Sequence, residues 1–240
     1  MGTIFAYSIS SSIILTAMYL IYKWMLADEN QHSYNRAILW VIYICALVLP
    51  IVTPSLSDIF ASQSAISAEK ASIEISSDLK AIEIVESNPL LPRILSGIYI
   101  LGIIIGIIHT ILIVIKLTRT ISSGTLKEVG TYTIVVIEDA RLAPFSWLKY
   151  IVMSRNDYES SADVIIAHES RHLELYHQFD LVAAQIITIL QWFNPSAWLM
   201  REELKTVHEY QADAGVIASG ANYNPQNEMF ARFETKRIFS

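Results

Sequence analysis

Cysteine is almost missing from this chain: Cys45 is its single thiol and lies in an apolar stretch. An intrachain disulfide is thereby excluded, and so is a cysteine-built structural zinc site. Charge is scarce as well. Charged residues make up 17% of the chain against 53% hydrophobic ones, where an ordinary soluble domain has about 25% charged residues. Three stretches have no charged side chain at all: residues 1–22, 37–57 and 94–115. Each is long enough to cover about 30 Å of hydrocarbon as a helix. The first also lacks a positive n-region and a clean small-residue cleavage site, so it reads as a retained anchor rather than a removed signal.

These absences predict a mainly α membrane protein with three transmembrane helices. Residues 1–57 form the first two, with Pro50 and Pro54 ending the second near the interface, and residues 94–117 form the third. Between them, residues 58–93 turn to Ser, Ala, Glu and Lys and read as a solvated acidic loop. Lys23 and Arg36 flank the first connection, and Lys116, Arg119 and Lys127 follow the third helix. The positive-inside rule then puts those segments in the cytoplasm, with the acidic loop and the N-terminus outside. The expected location is a bacterial-type cytoplasmic (inner) membrane, multi-pass, with the chemistry on the cytoplasmic side.

That chemistry is expected in residues 118–217. His168-Glu169-Ser170-Arg171-His172 lies in a stretch, 161–177, with helical patterning. Ser160 or Ser161 is the expected N-cap. Four residues apart on a helix, His168 and His172 project from one face and can meet one Zn²⁺, with Glu169 beside the water as general base. A catalytic zinc site needs a third protein donor. Glu209 is the expected one and His208 its rival, because Glu209 has an acidic partner one turn on: Asp213, placed to accept a hydrogen bond from the far nitrogen of a ligating histidine. His177 is expected to cap the exposed end of the motif helix, while His32 and His109 are left without a role. Residues 131–138 and 148–154, rich in β-branched and aromatic side chains, predict a small antiparallel sheet, whose edge is a candidate rest for an extended peptide. The apolar run 181–200 must not cross the membrane, or Glu209 would emerge opposite His168. Gln185, Gln191, Asn194 and Pro195 interrupt it and predict two helices folded back on each other.

Taken in order, several short segments resemble those of the BlaR/MecR-type membrane zinc metallopeptidases. They are Asn35-Arg36, Ala143-Pro144-Phe145-Ser146, the His168 to His172 motif, Asp180, Trp192-Phe193-Asn194-Pro195, and Glu209 with Asp213. The resemblance implies a gluzincin-like domain, with zinc on His168, His172 and Glu209 and catalysis by Glu169. It implies a signal transducer whose protein substrate is itself or a regulator such as a transcriptional repressor. Membrane lipid and that substrate are the expected partners, with no direct nucleic-acid contact and with a homodimer as one allowed assembly. Antibiotic sensors of the family carry a penicillin-binding domain beyond a further membrane helix, whereas residues 218–240 read as an aperiodic tail, so β-lactam sensing is not implied. Two other readings stay open: a quality-control membrane protease, and a non-catalytic receptor or scaffold that holds a metal for structure alone.

Overall fold

The computed structural model describes residues 2–25, 32–52 and 90–218. The expected acidic loop, up to residue 89, and the tail from 219 lie outside the described residues. The protein is mostly helical with one small mixed sheet. It divides into two compact units, discontinuous in sequence: Met1–Ile111 with Ala184–Glu203, and Leu112–Ala183 with Leu204–Ser240. The segment 118–217, expected as one peptidase domain, is shared between them.

The first unit holds helices α1 (Gly2–Met25) and α2 (His32–Val52) and most of α3 (Leu90–Ser123). Leu15, Tyr19 and Tyr22 are buried on α1, and Leu39, Ile42, Tyr43 and Ala46 on α2. Their spacing of three and four residues is that of one stripe per helix. Two described helices, Ser33–Val52 and Arg93–Ser123, are long and apolar enough to cross a bilayer. The second is apolar on every side, with almost none of its surface buried, the pattern of a lipid-facing helix rather than of a surface helix in water. On α1 two serines have protein partners: the Gln191 amide donates to Ser11 Oγ at 3.0 Å, and Asn194 to the Ser12 carbonyl at 3.3 Å.

The apolar run 181–200 is two helices, as its polar interruptions predict. Helix α5 (His177–Leu190) has 14 residues, too few to span about 30 Å of hydrocarbon, and α6 (Pro195–Ala218) follows after a turn. Asn194 acts as N-cap of α6, its Oδ1 accepting from Ser196 N at 2.9 Å, and Pro195 takes the first helical position, where its missing N–H costs nothing. The turn is closed by Asn194 N donating to the Gln191 carbonyl at 2.7 Å. Trp192 donates its indole N–H to the Tyr99 carbonyl at 3.3 Å, and its ring lies where a Cβ on Gly102 of α3 would stand, 2.2 Å from that position.

In the second unit, strands β1 (Thr125–Val129), β2 (Tyr132–Ile137), β3 (Phe145–Trp147) and β4 (Tyr150–Ser154) form a sheet in the order β1-β2-β4-β3. The two expected strands are not antiparallel partners: β2 pairs with β4 in parallel, Ile134 opposite Ile151 and Val136 opposite Met153. The cause lies in the supposed turn between them. It contains a third strand, β3, which runs back along the far side of β4, antiparallel to it, so β4 re-enters between β2 and β3. Both faces of the central pair are covered, and for that reason their residues read as continuous apolar runs. Ile134, Val136, Ile151 and Met153 pack with Ile165 and Leu173 of α4 (Arg155–Glu174), and Val135 and Val152 pack with Ile121 at the end of α3. At the α3–β1 junction only glycine fits, since a Cβ on Gly124 would stand 2.4 Å from Val135 Cγ1.

Helix α4 begins earlier than the sequence pattern implies. Its N-cap is Ser154, not Ser160 or Ser161: Ser154 Oγ accepts from Asp157 N at 3.1 Å and donates to Asp157 Oδ2 at 2.8 Å, a reciprocal cap. Ser161 instead marks a kink, with non-helical backbone at φ −149°, ψ 24°. The helix ends at Glu174, where Tyr176 adopts φ 58°, a left-handed residue of the kind that stops helices and turns the chain.

Because the Trp192 ring occupies the space over Gly102, Gly102→Leu should cost about 1–3 kcal/mol by displacing it, seen as a lower Tm in detergent. Gly97→Leu, with nothing within 4 Å of its Cβ position, should leave Tm unchanged.

Candidate metal centre

The motif helix α4 and the returning helix α6 meet within the second unit at a cluster of ionisable groups. His168 Nε2 and His172 Nε2 point at each other across 3.2 Å. Glu209 presents one carboxylate oxygen 3.4 Å from His168 Nε2 and the other 3.8 Å from His172 Nε2. One ligand atom from each of the three residues lies within 4.8 Å of the others. Two nitrogens bound tetrahedrally at ordinary zinc distances stand about 3.3 Å apart, so the donors fit such an ion without moving far. Among the described residues no fourth His, Cys, Asp or Glu joins this group.

Asp213, one turn beyond Glu209, stands 3.1 Å from His168 Nδ1, so the far nitrogen of that imidazole donates to a carboxylate as the spacing predicts. Glu169 is buried at 5% exposure and is hydrogen-bonded to the Ser146 side chain on β3. It points away from bulk water, next to the histidine cluster. His208, the rival ligand, turns elsewhere: its Nε2 is 3.0 Å from Asp180 Oδ2 on α5. His109 is exposed on α3 and is not part of the cluster.

His177 departs from expectation. It does not cap an exposed helix end but opens α5, buried at 1% exposure, because the reversal at Tyr176 folds it back onto the motif. Its Nδ1 lies 2.8 Å from His172 Nδ1 and its Nε2 2.9 Å from Gln211 Oε1, while its ring stacks on His208 at 3.9 Å and 7°. The sequence pattern assigned no contact to Gln211 or Ser146 and did not pair His208 with Asp180. A signal did exist for the first and last, since 208 and 211 share one face of α6 just as 209 and 213 share another.

The two motif histidines, alike in sequence, are shifted in opposite directions. Burial works against a proton on His168, but the Asp213 and Glu209 carboxylates outweigh it and hold the imidazolium up to about 10. Burial dominates at His172, and with the His168 cation beside it the ring falls to about 4, against the pull of Glu209. Glu169 is raised by burial, partly offset by His168 and Ser146. Glu209 is lowered: burial raises it, but the His168 hydrogen bond and the His172 and His168 charges outweigh that.

A group whose folded pKa is raised contributes stability that is full below its unfolded value, 6.5 here, and is lost as pH rises through about 10. In chelator-treated protein, the Tm advantage of the native chain over Asp213→Asn should therefore be largest near about pH 6.5 and shrink toward about pH 10.5. An advantage constant across that range would show the contact to be packing rather than charge.

No family model matches this chain, and no curated protein matches it.

Proposed function

We propose that this chain is a membrane-embedded zinc endopeptidase of the BlaR/MecR type, a signal transducer that cleaves itself or a cytoplasmic regulatory protein. The observation that carries the reading is the convergence of His168 Nε2, His172 Nε2 and the Glu209 carboxylate beside a buried Glu169. With three protein donors and no fourth from the described residues, the cluster has the composition of an open, catalytic site rather than a closed, structural one. That contrast favours an enzyme over a scaffold.

When bound, a zinc ion supplies Lewis acidity toward the scissile carbonyl and acidifies the attacking water. The residues do the rest. His168, His172 and Glu209 would hold the ion, His168 through Nε2 while its Nδ1–H donates to Asp213. Glu169 takes the water's proton on its carboxylate and passes it to the leaving amine; its pKa, raised by burial, lies closer to the working pH than that of a free carboxylate. Ser146 fixes that carboxylate and sits on β3, an edge strand whose outer side suits an extended peptide backbone.

Purified protein should carry one zinc per chain, depleted in His168→Ala, His172→Ala and Glu209→Ala. Glu169→Gln should retain zinc yet abolish cleavage of the chain or its regulator, since an amide cannot accept the proton. Full zinc occupancy in all three alanine variants, or native-rate cleavage by Glu169→Gln, would remove the basis for the assignment.

The topology belongs to the same proposal: α1, α2 and α3 cross the membrane, the α5–α6 hairpin does not, and the site faces the cytoplasm. In a Cys45→Ala background, single cysteines at Ser122, Ser161 and Ser219 should be shielded from an impermeant thiol reagent added outside, and one at Ser76 should react. Outside labelling at Ser219 with Ser161 protected would put Glu209 across the bilayer from the histidines and end the protease reading.

A further inference from the structure

His172 uses one ring nitrogen toward the donor cluster and the other toward His177. At 2.8 Å between the two Nδ1 atoms, one proton must lie between them; two facing lone pairs or two facing N–H groups would repel. The zinc reading above, on which this inference rests, assigns the Nε2 lone pair of His172 to the ion. Its proton is then on Nδ1, and His177 Nδ1 is the acceptor. A neutral His177 with a bare Nδ1 carries its own proton on Nε2, 2.9 Å from Gln211 Oε1, which accepts it. Every proton position in the row is set by the next partner. That acceptor is an amide oxygen, which has no proton to pass on.

We infer that His177 is a positioning residue for the metal site: with Gln211 behind it, it locks His172 into the tautomer whose Nε2 is free to bind a cation. A ligating histidine gains both orientation and basicity from an acceptor on its far nitrogen. His168 has a carboxylate, Asp213, for this purpose, whereas His172 has a neutral imidazole. The ring is held in place from the other side. His208 stacks on it at 3.9 Å, nearly parallel at 7°, and is itself fixed by donating from Nε2 to Asp180 Oδ2 at 3.0 Å. His177 and His208 are each 1% exposed, so little solvent competes for these bonds.

The test uses the full chain in detergent micelles, carrying Glu169→Gln to prevent self-cleavage, titrated with zinc alone. His177→Leu, which keeps bulk but removes the acceptor, should weaken zinc binding by about 10- to 100-fold. His177→Asn, whose Oδ1 takes the place of Nδ1, should recover most of that loss, which a packing role would not predict. In the zinc-loaded chain with native His177, ¹⁵N NMR should show His172 protonated on Nδ1 and His177 on Nε2. Unchanged affinity in His177→Leu, or equal losses in the leucine and asparagine variants, would overturn the inference and leave the zinc reading standing. If His177→Leu does not fold, the tautomers decide, and a proton on Nδ1 of His177 would overturn it. Absence of zinc binding in the chain with native His177 would overturn both readings.

Discussion

The site depends on one reversal of the chain. His168 and His172 are fixed on α4, and the carboxylate that meets them lies on α6, with a strongly apolar run between. A straight apolar helix through that run would carry Glu209 away. What prevents it is local chemistry: Asn194 caps, Pro195 opens the next helix without a lost hydrogen bond, and Gln191 and Asn194 spend their side-chain amides on the serines of α1. Two side-chain amides in an otherwise apolar run thus find acceptors at the turn. The antiparallel register then follows in the contacts of Thr188 with Ala197, Asp180 with His208 and His177 with Gln211.

The electrostatics show why two histidines on one helix face need different surroundings. Burial penalises the proton on both, yet His168 has two carboxylates in contact and His172 has none closer than Glu209 at 3.8 Å. The first ring is therefore shifted up and the second down. In the proposed zinc site a cation would compete with a proton at His168. The carboxylates that stabilise the imidazolium are those that would stabilise the ion, Glu209 by direct contact and Asp213 through the ring.

How much of this could be read from residues alone depended on whether the signal was local. The i, i+4 pairs 168/172 and 209/213 were legible because helical periodicity fixes which side chains share a face, and the break at Asn194-Pro195 was legible because proline chemistry is local. The sheet was misread where pairing depends on a partner distant in sequence: nothing in 131–138 states that β4 will lie beside it in parallel, and three residues of β3 are too few to show alternation. The cap was missed because Ser154-x-x-Asp157 belongs by apolar pattern to the end of a strand. His177 was assigned to solvent since the one residue that reverses the chain, Tyr176 at φ 58°, belongs to a type that seldom adopts such a conformation.

Helix α6 finally explains how one element can serve two neighbours. Residues 209 and 213 lie on one stripe and meet His168, and residues 208 and 211 lie on the adjacent stripe and meet Asp180 and His177. Successive residues are about 100° apart around a helix, so neither stripe can be moved without the other. The close approach of α6 to α4 is helped by Gly215, where a Cβ would stand 2.3 Å from Arg171 Nε. The position of Glu209 is therefore set by three things at once: the start of α6 at Pro195, the seat of His208 on Asp180 and His177, and the flat contact at Gly215. In the proposed zinc site, a backbone position fixed in this way would leave the half-exposed Glu209 carboxylate only its own side-chain torsions to lose on meeting a cation.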